Sequence, residues 1–295
     1  MIVLAILGPR SRKQDLAQFQ HQFPELTVLE TPNDSTVRSH LPHADLALVF
    51  GGDGTLHRHL NALVEANVAT LPVPSGSGND FAAVNGIRNA ADAAQLFAAF
   101  LAGRATARPA DLGLLRTTDG QSRYFSCCAN VGVDADATRR ANTYPPWLKA
   151  TCGYLLGGLG AILSYQPQRL TVTRFAGESA EVMLDEDAWF AAITNTPIYG
   201  GGLPIAPQAS IWDGELDVTC LRQTPRWNVI RHYPKILTGT HIHLAEIKAF
   251  RAKQLRIETA TPQPIYSDGD FVGSTPCEVS ASPRALPVLG NTGPK

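Results

Sequence analysis

Two short glycine-rich stretches, each carrying an aspartate, have the composition of a phosphate site. The first is Gly51-Gly52-Asp53-Gly54-Thr55, and the second is Ser75-Gly76-Ser77-Gly78-Asn79-Asp80. Glycines let a backbone turn sharply and approach a ligand closely, and N–H groups at the start of a helix attract anions. A carboxylate would repel phosphate, so the aspartates suggest that a divalent cation or a substrate proton lies between each carboxylate and the phosphate. We predict that both loops bind one polyphosphate.

The segments around these loops indicate how they are positioned. Apolar runs lie at 2–7, 27–30, 46–50 and 69–73, and the last two lead directly into the two loops. Apolar runs that alternate with amphipathic segments are typical of buried parallel strands and helices in a doubly wound α/β domain. Ligands bind such sheets at the strand ends. The alternative is that each loop is an ordinary strand-to-helix turn, in which Asn79 or Asp80 caps a helix.

The pattern changes near residue 104, where short alternating runs begin. These runs lie at 111–116, 124–131, 170–174, 182–184, 189–194 and 215–221, with turn residues between them. They predict a second, mainly antiparallel β domain, with helices at roughly 146–163 and 226–237. His241 and His243 would share one face of a strand, but without a third ligand we expect surface or hydrogen-bonded histidines rather than a metal pair.

Three further acidic motifs lie in this second half. They are Asp111-Leu112-Gly113, Asp213-Gly214 and Ser267-Asp268-Gly269-Asp270. An Asp-Gly pair alone is also the signature of a plain turn, so the residue types do not by themselves distinguish chemistry from turn formation.

The two glycine-rich loops together resemble the diacylglycerol kinase catalytic family. Their pattern is most similar to soluble bacterial lipid kinases and to sphingosine and ceramide kinases, whereas the motif at 51–55 alone also resembles NAD kinases. The resemblance implies an ATP- and Mg²⁺-dependent kinase that phosphorylates a hydroxyl of diacylglycerol or of a related, sphingoid-like lipid. It implies an NAD-kinase-like nucleotide-binding α/β domain at 1–109, completed by a returning tail at 284–295. A β-rich lipid-substrate domain at 110–283 follows, with the active site in the interdomain cleft.

The resemblance also implies a role for each site residue. The ATP phosphates would be held by Gly51, Gly52, Gly54, Thr55, Ser75, Gly76, Ser77, Gly78, Asn79 and Lys13. Asp53, Asp80 and Asp111 would organise Mg²⁺, which tends to keep several of its waters, and Asp213 would hold a second, structural cation. Asp270 would accept the proton of the lipid hydroxyl as general base, with Asp53 as the competing candidate for that role.

The sequence departs from the family pattern at several positions. Gly8 and Arg12 stand in the first turn, Ser77 replaces the usual Thr, Ala83 stands near the usual Arg, and Asp270 replaces the usual Glu. Because of these departures, a second hypothesis stays open: the chain is a non-catalytic nucleotide- or lipid-binding protein of the same fold. ATP binding without turnover of any lipid would favour that alternative. The first loop also keeps open an NAD kinase, which phosphorylation of NAD⁺ would reveal.

Composition limits the partners and the compartment. The formal net charge of the 295 residues is −1, so no global field attracts nucleic acid. The five cysteines form no CxxC pair, which favours free thiols in a reducing compartment. No apolar run is long enough to span a bilayer. We expect a cytoplasmic protein that meets its lipid acceptor only at the inner membrane surface. The sequence determines neither whether the protein forms a homodimer nor which lipid it uses.

Overall fold

The computed structural model describes residues 1–9, 11, 13–30, 33–76, 78–145 and 153–290. The chain divides into two compact units. Unit 1 contains Met1–Asp111 and Pro283–Lys295, and unit 2 contains Leu112–Ser282. The first unit is therefore discontinuous in sequence.

Unit 1 is an α/β structure around a parallel sheet. Its strands are β1 (Val3–Leu7), β2 (Thr27–Glu30), β3 (Leu46–Gly51) and β4 (Ala69–Pro74), and its helices are α1 (Lys13–Gln22), α2 (Asp34–His40), α3 (Asp53–Ala66), α4 (Asp80–Val84) and α5 (Ala90–Leu101). The spatial order is β2–β1–β3–β4, with parallel pairing throughout. Val288, near the end of the chain, pairs in parallel with Thr70 of β4.

The apolar runs of this unit form strands because helices cover both faces of a parallel sheet. Every residue of β1 is buried. On one face Phe19 of α1 lies against Phe50 and Phe97, with ring centroids 5.1 and 5.4 Å apart. Helix α3 ends at Asn67, which adopts a left-handed conformation and donates its N–H to the last turn, a common way to stop a helix.

The strand order reverses direction between β1 and β3. In open α/β sheets, ligands bind at the carboxyl ends of the strands beside such a switch point. Gly8 follows β1 there, and its N–H donates to the Phe50 carbonyl at 2.8 Å. The loop at 51–55 follows β3 at the same point, which gives this loop the position of a binding loop.

Unit 2 is mainly antiparallel. Its elements are β5 (Arg108–Thr117), β6 (Ser122–Phe125), β7 (Cys128–Gly132), α6 (Val133–Thr143), α7 (Tyr154–Ser164), β8 (Gln168–Ala176), β9 (Ser179–Thr194), β10 (Leu216–Arg222), α8 (Arg226–His232), β11 (Ile247–Ala252), β12 (Gln254–Thr259), β13 (Pro264–Ser267), β14 (Asp270–Ser274) and β15 (Cys277–Val288). The strands follow the order β14–β13–β7–β9–β8–β12–β15, and β10 pairs with β9 and β11. Strand β5 starts, and strand β15 ends, in unit 1.

Trp189 lies at the centre of the α-helices that the structure describes in unit 2. It is almost fully buried beside residues of α6, α7 and α8, and its indole N–H donates to the Thr224 carbonyl at 3.1 Å. The backbone of β9 passes so close to Gly132 that a Cβ there would lie 2.4 Å from the Trp189 carbonyl oxygen. Gly132 has a positive φ of 88°, so glycine is required at this turn from β7 into α6.

The predicted fold class, an α/β unit followed by a mainly antiparallel β unit, is confirmed, but several element predictions are wrong. Helix α6 was not expected. The segment 226–237 is α8 followed by a 3-10 helix, Tyr233–Thr238, because Pro234 cannot continue an α-helix. His241 lies in a 3-10 helix instead of a strand, and its Nε2 contacts the Ile205 carbonyl. Residues 146–152 of the predicted helix 146–163 lie outside the described residues.

Within the part of the chain that the structure describes, no helix has the length and apolar character needed to cross a bilayer. The cysteines in this part are buried free thiols.

Candidate active site

The two glycine-rich loops of unit 1 interlock. The Ser75 N–H donates to the Gly51 carbonyl and the Asp53 N–H donates to the Gly78 carbonyl, both at 3.0 Å. A Cβ on Gly52 would lie 2.3 Å from the Gly78 carbonyl oxygen. The glycines at these contacts are therefore needed because the loops touch each other.

Two glycines show the contrast between loop contact and ligand access. A Cβ on Gly76 would lie 2.7 Å from the Gly52 nitrogen, whereas a Cβ on Gly54 would have no atom within 4 Å. Gly54 is exposed in the first turn of α3. Of the described loop glycines 51, 52, 54, 76 and 78, Gly54 alone has open space at its Cβ position, so it is the one whose small size leaves room for a ligand.

Asp53 links the two loops through its side chain. Its Oδ2 accepts a hydrogen bond from the Asp80 N–H at 2.9 Å, and its Oδ1 accepts one from the Phe81 N–H at 3.1 Å. These N–H groups belong to the first turn of α4, where backbone donors lack helical partners. In the alternative interpretation Asn79 or Asp80 caps this helix, but Asn79 makes no capping bond and its amide donates to the Gly76 carbonyl. Asp53 supplies the cap from the other loop.

Thr55 packs against the ends of β1 and β3. A Cβ on either Gly8 or Gly51 would come within 2.3 Å of its Oγ1. Gly8, one of the departures from the family pattern, is thus explained by a neighbour inside this chain. Two other predicted phosphate contacts are not described: Ser77 lies outside the described residues, and Lys13 begins α1 with a side chain that also lies outside them.

The carboxylates proposed for Mg²⁺ do not converge into a preformed site. Asp80 is buried at the start of α4, and buried Asp111 accepts the Arg284 N–H at 2.7 Å. Among the described residues there is no group of three or more Asp, Glu, His or Cys side chains that could hold a metal ion. Mg²⁺ at phosphate sites is typically held by one or two carboxylates together with phosphate oxygens and water. Asp53 and Asp80 fit that smaller donor set.

Asp213, which is predicted to hold a structural cation, has two partners in this chain. Its carboxylate forms an ion pair with Arg251, and its Oδ1 accepts the Glu215 N–H at 3.1 Å. The same guanidinium lies 3.6 Å from carboxylate oxygens of Glu215 and Asp217. Burial raises the pKa of Asp217, and the nearby Arg251 opposes that rise. Arg251 thus places a positive charge beside all three carboxylates, and the cation at Asp213 stays a prediction.

Asp270 stands at a tight hairpin of unit 2. Ser267 of β13 pairs with Asp270 of β14, so Asp268 and Gly269 form a two-residue turn. Both turn residues have positive φ, 45° and 92°, as a type I′ turn requires. The turn and the functional prediction are compatible here, because the turn leaves Asp270 exposed at its edge.

Asp268 holds this hairpin in place, a role that the sequence analysis missed. Its carboxylate accepts hydrogen bonds from the N–H groups of Ser126, Cys127 and Cys128 at 2.7 to 2.9 Å, and from the Ser126 hydroxyl at 2.9 Å. The Asp268 carboxylate accepts hydrogen bonds from the backbone N–H groups between β6 and β7, where the predicted strand 124–131 is interrupted. The prediction of one continuous run at 124–131 is therefore wrong.

A second polar feature that the sequence analysis missed pairs Asp134 with Tyr199. The Tyr199 hydroxyl donates to Asp134 Oδ2 at 2.6 Å. Burial raises the pKa of the Asp134 carboxyl, and burial beside this carboxyl raises the pKa of Tyr199 well above its usual range. Two sequence features could have indicated this pair: the acidic residues at the start of α6 and the glycine run at 200–202. In the structure all three of these glycines have positive φ.

Comparison with known proteins assigns both halves of the chain. Residues 9–115 match the family model of the diacylglycerol kinase catalytic domain. Residues 127–290 match the family model described as the YegS C-terminal NAD kinase beta sandwich-like domain.

Individual relatives agree with these matches. The chain is 32% identical over 247 residues to the diacylglycerol kinase of Mycobacterium tuberculosis, covering 83% of this chain and 76% of the relative. It is 28% identical over 282 residues to the diacylglycerol kinase of Bacillus subtilis, covering 90% and 87% of the two chains. A crystal structure of a diacylglycerol kinase from Bacillus anthracis has the same fold, with a TM-score of 0.72, 19% identity, and coverage of 98% and 97%.

The matches span both units and include the pair of glycine-rich loops from which the resemblance was drawn. The resemblance is therefore confirmed, and the comparisons do not support the NAD kinase alternative. The chain belongs to the family of diacylglycerol kinases and YegS-related lipid kinases, and it is a lipid kinase.

Proposed function

We propose that this lipid kinase transfers the γ-phosphoryl group of ATP, with Mg²⁺, to a hydroxyl of diacylglycerol or of a related lipid alcohol. The observation that carries the proposal is the exposed carboxylate of Asp270, presented at the edge of a hairpin that Asp268 fixes through four hydrogen bonds. A general base needs this combination of access and fixed position.

The loops of unit 1 would bind the nucleotide phosphates. Helix α3 is 14 residues long and starts with Gly54 exposed in its first turn. The positive end of its dipole favours an anion there. Asp53 and Asp80 would hold Mg²⁺ together with the phosphates. When bound, Mg²⁺ neutralises charge that develops on the phosphoryl oxygens.

Asp270 would remove the proton from the lipid hydroxyl. As the lipid oxygen bonds to the γ-phosphorus and the bond from that phosphorus to the ADP oxygen breaks, the hydroxyl proton passes to the carboxylate. Asp53, the competing candidate, already directs both carboxylate oxygens at the amides of α4. Taking up a proton would weaken that cap, so we favour Asp270 as base and Asp53 as an organising residue.

Labelled ATP, Mg²⁺ and diacylglycerol in mixed micelles provide the test. Asp270→Asn should lower kcat by about 100-fold or more, the usual scale of a lost general base, while ATP binding measured by calorimetry stays unchanged. Asp270→Glu should retain most of the activity, because the carboxylate chemistry is kept. Asp187→Asn, an exposed aspartate of β9 in the same unit, is the matched control and should behave as wild type.

Two outcomes would contradict the proposal. Near wild-type turnover of Asp270→Asn would remove Asp270 as the base. Failure of the wild-type protein to label diacylglycerol or any lipid of a total extract, with ATP bound, would overturn the proposed reaction itself.

A further inference from the structure

Helix α7 exposes a leucine face in unit 2. Leu156, Leu159 and Leu163 are 43%, 38% and 59% exposed. Spaced by three and four residues, they share one side of the helix. The opposite side, with Ala161 and Ile162, is buried near Trp189. An amphipathic helix normally turns polar side chains to solvent, so the exposed leucines need a partner.

Helix α8 extends this apolar surface. The guanidinium of Arg226 donates to the carbonyls of Ile162 at 2.9 Å and Tyr165 at 2.8 Å. These bonds cap the end of α7 and hold the start of α8 beside it. The next residue, Trp227, is 71% exposed. We call Leu156, Leu159, Leu163 and Trp227 the docking face.

The surroundings of the docking face carry positive charge. Residues 153–168 contain no charged side chain, and residues 223–245 contain Arg226, Arg231 and Lys235 but no Asp or Glu. Arg231 and Lys235 are exposed. On the neighbouring helix α6, Asp136 is paired with Arg139 and Arg140. The local balance therefore favours an anionic partner.

We propose that the docking face binds the surface of an anionic lipid bilayer. Leucines and tryptophan enter the boundary between headgroups and acyl chains, while arginine and lysine contact lipid phosphates. The inference rests on the proposed function in one respect: a diacylglycerol-like acceptor is presented by a bilayer. A second copy of the chain is disfavoured as the partner, because a two-fold interface brings identical patches together and would oppose the two cationic segments.

Flotation with vesicles tests the docking face directly. The probes are vesicles of phosphatidylcholine alone and of phosphatidylcholine with phosphatidylserine. The double variant Leu159→Gln/Leu163→Gln removes apolar surface with a good helix former, and Val182→Gln on β9, also an exposed apolar site at 58%, is the matched control. We expect the double variant to bind vesicles at least roughly tenfold more weakly than wild type, and the control to bind as wild type does. All proteins should have equal far-UV circular dichroism.

A second double variant tests how much the positive charges contribute to vesicle binding. Arg231→Gln/Lys235→Gln should reduce the preference for phosphatidylserine vesicles and its dependence on salt. Vesicle binding by the leucine variant that equals wild type would overturn the proposal. A shift of that variant from dimer to monomer in analytical ultracentrifugation, with vesicle binding intact, would instead assign the face to self-association and would also overturn it.

Activity measurements separate this inference from the proposed function. With a water-soluble short-chain diacylglycerol, the leucine variant should match wild type, whereas with acceptor embedded in vesicles it should lose roughly tenfold or more in rate. Equal rates of the two proteins on vesicles would overturn the docking face. If neither protein phosphorylates either acceptor, the proposed function fails, and the flotation result still decides whether the face binds lipid.

Discussion

Asp53 in unit 1 and Asp268 and Asp270 in unit 2 differ in what their carboxylates contact. Asp53 accepts two backbone amides of α4, Asp268 accepts three amides and a hydroxyl, and Asp270 is exposed. Charged acceptors form stronger bonds with amides than neutral ones do. Asp53 and Asp268 therefore fix the local structure of unit 1 and of unit 2, respectively, before any ligand arrives, while the carboxylate of Asp270 is exposed.

Asp53→Asn should destabilise the protein without any ligand present. Asparagine presents an NH₂ group toward one of the two α4 amides, so one capping bond is lost. We expect a loss of about 1–2 kcal/mol in the free energy of unfolding, the scale of a helix cap. Urea unfolding in the presence of EDTA measures it. If Asp53 were a metal ligand alone, stability under these conditions would equal that of wild type.

These residues show where sequence reasoning stops. The glycine and aspartate types identified Asp53 as a candidate, and the family resemblance identified Asp270, because both depend on local motifs. The partners of Asp53 lie 27 and 28 residues away, and those of Asp268 lie 140 to 142 residues away. Hydrogen bonds over such distances follow from tertiary packing, so no local pattern could have predicted the capping or anchoring roles.

At the scale of elements, the interlocked loops are the feature of unit 1 on which the proposed nucleotide site depends. Gly52 adopts φ −108° and ψ −169°, a conformation that any residue accepts. Only the approach of the Gly78 carbonyl requires glycine there.

Gly52→Ala should therefore separate the loops. The new methyl group overlaps a backbone oxygen that cannot rotate away, so we expect a loss of about 1–3 kcal/mol in unfolding free energy and much weaker ATP binding in calorimetry. Gly54→Ala is the matched control for stability, because its methyl group meets open space inside a helix. It should raise stability by about 0.5–1 kcal/mol. Equal stability of the two variants would show that loop contact is unimportant.

Element prediction succeeded where burial is uniform and failed where it is not. Strands β1 and β3 were predictable because nearly all of their residues are buried and their sequence is continuously apolar. Helix α6 was missed because alanines supply much of its buried side, which gives a weak periodic signal. The break between β6 and β7 was missed because its cause, the Asp268 carboxylate, comes from a distant hairpin.

At the scale of the whole molecule, unit 1 is built from two segments that are far apart in the sequence. Residues 283–290 end β15 and add Leu286, Val288 and Leu289 to the first unit, all nearly or fully buried. Leu289 belongs to the same core as Phe50 and Leu71. Leu289 therefore packs in the core beneath the strands that lead into the glycine-rich loops.

Leu289→Ala should weaken unit 1 although it lies far along the chain from the loops. Loss of a fully buried leucine costs about 2–5 kcal/mol, measured by urea unfolding. Leu237→Ala removes a leucine that is mostly exposed in unit 2 and is the control, with an expected change within about 0.5 kcal/mol. Equal effects of the two substitutions would contradict the assignment of the tail to the core of unit 1.

The double crossing of the chain between the units has a consequence for biosynthesis. A ribosome delivers residues 1–111 early, but Leu286, Val288 and Leu289, which fill the core of that unit, emerge only after all of unit 2. Domains commonly fold in order from the amino terminus during synthesis, and this chain cannot complete its first unit in that way. Unit 2 can close first, and nucleotide binding should appear only when the last core residues have left the exit tunnel.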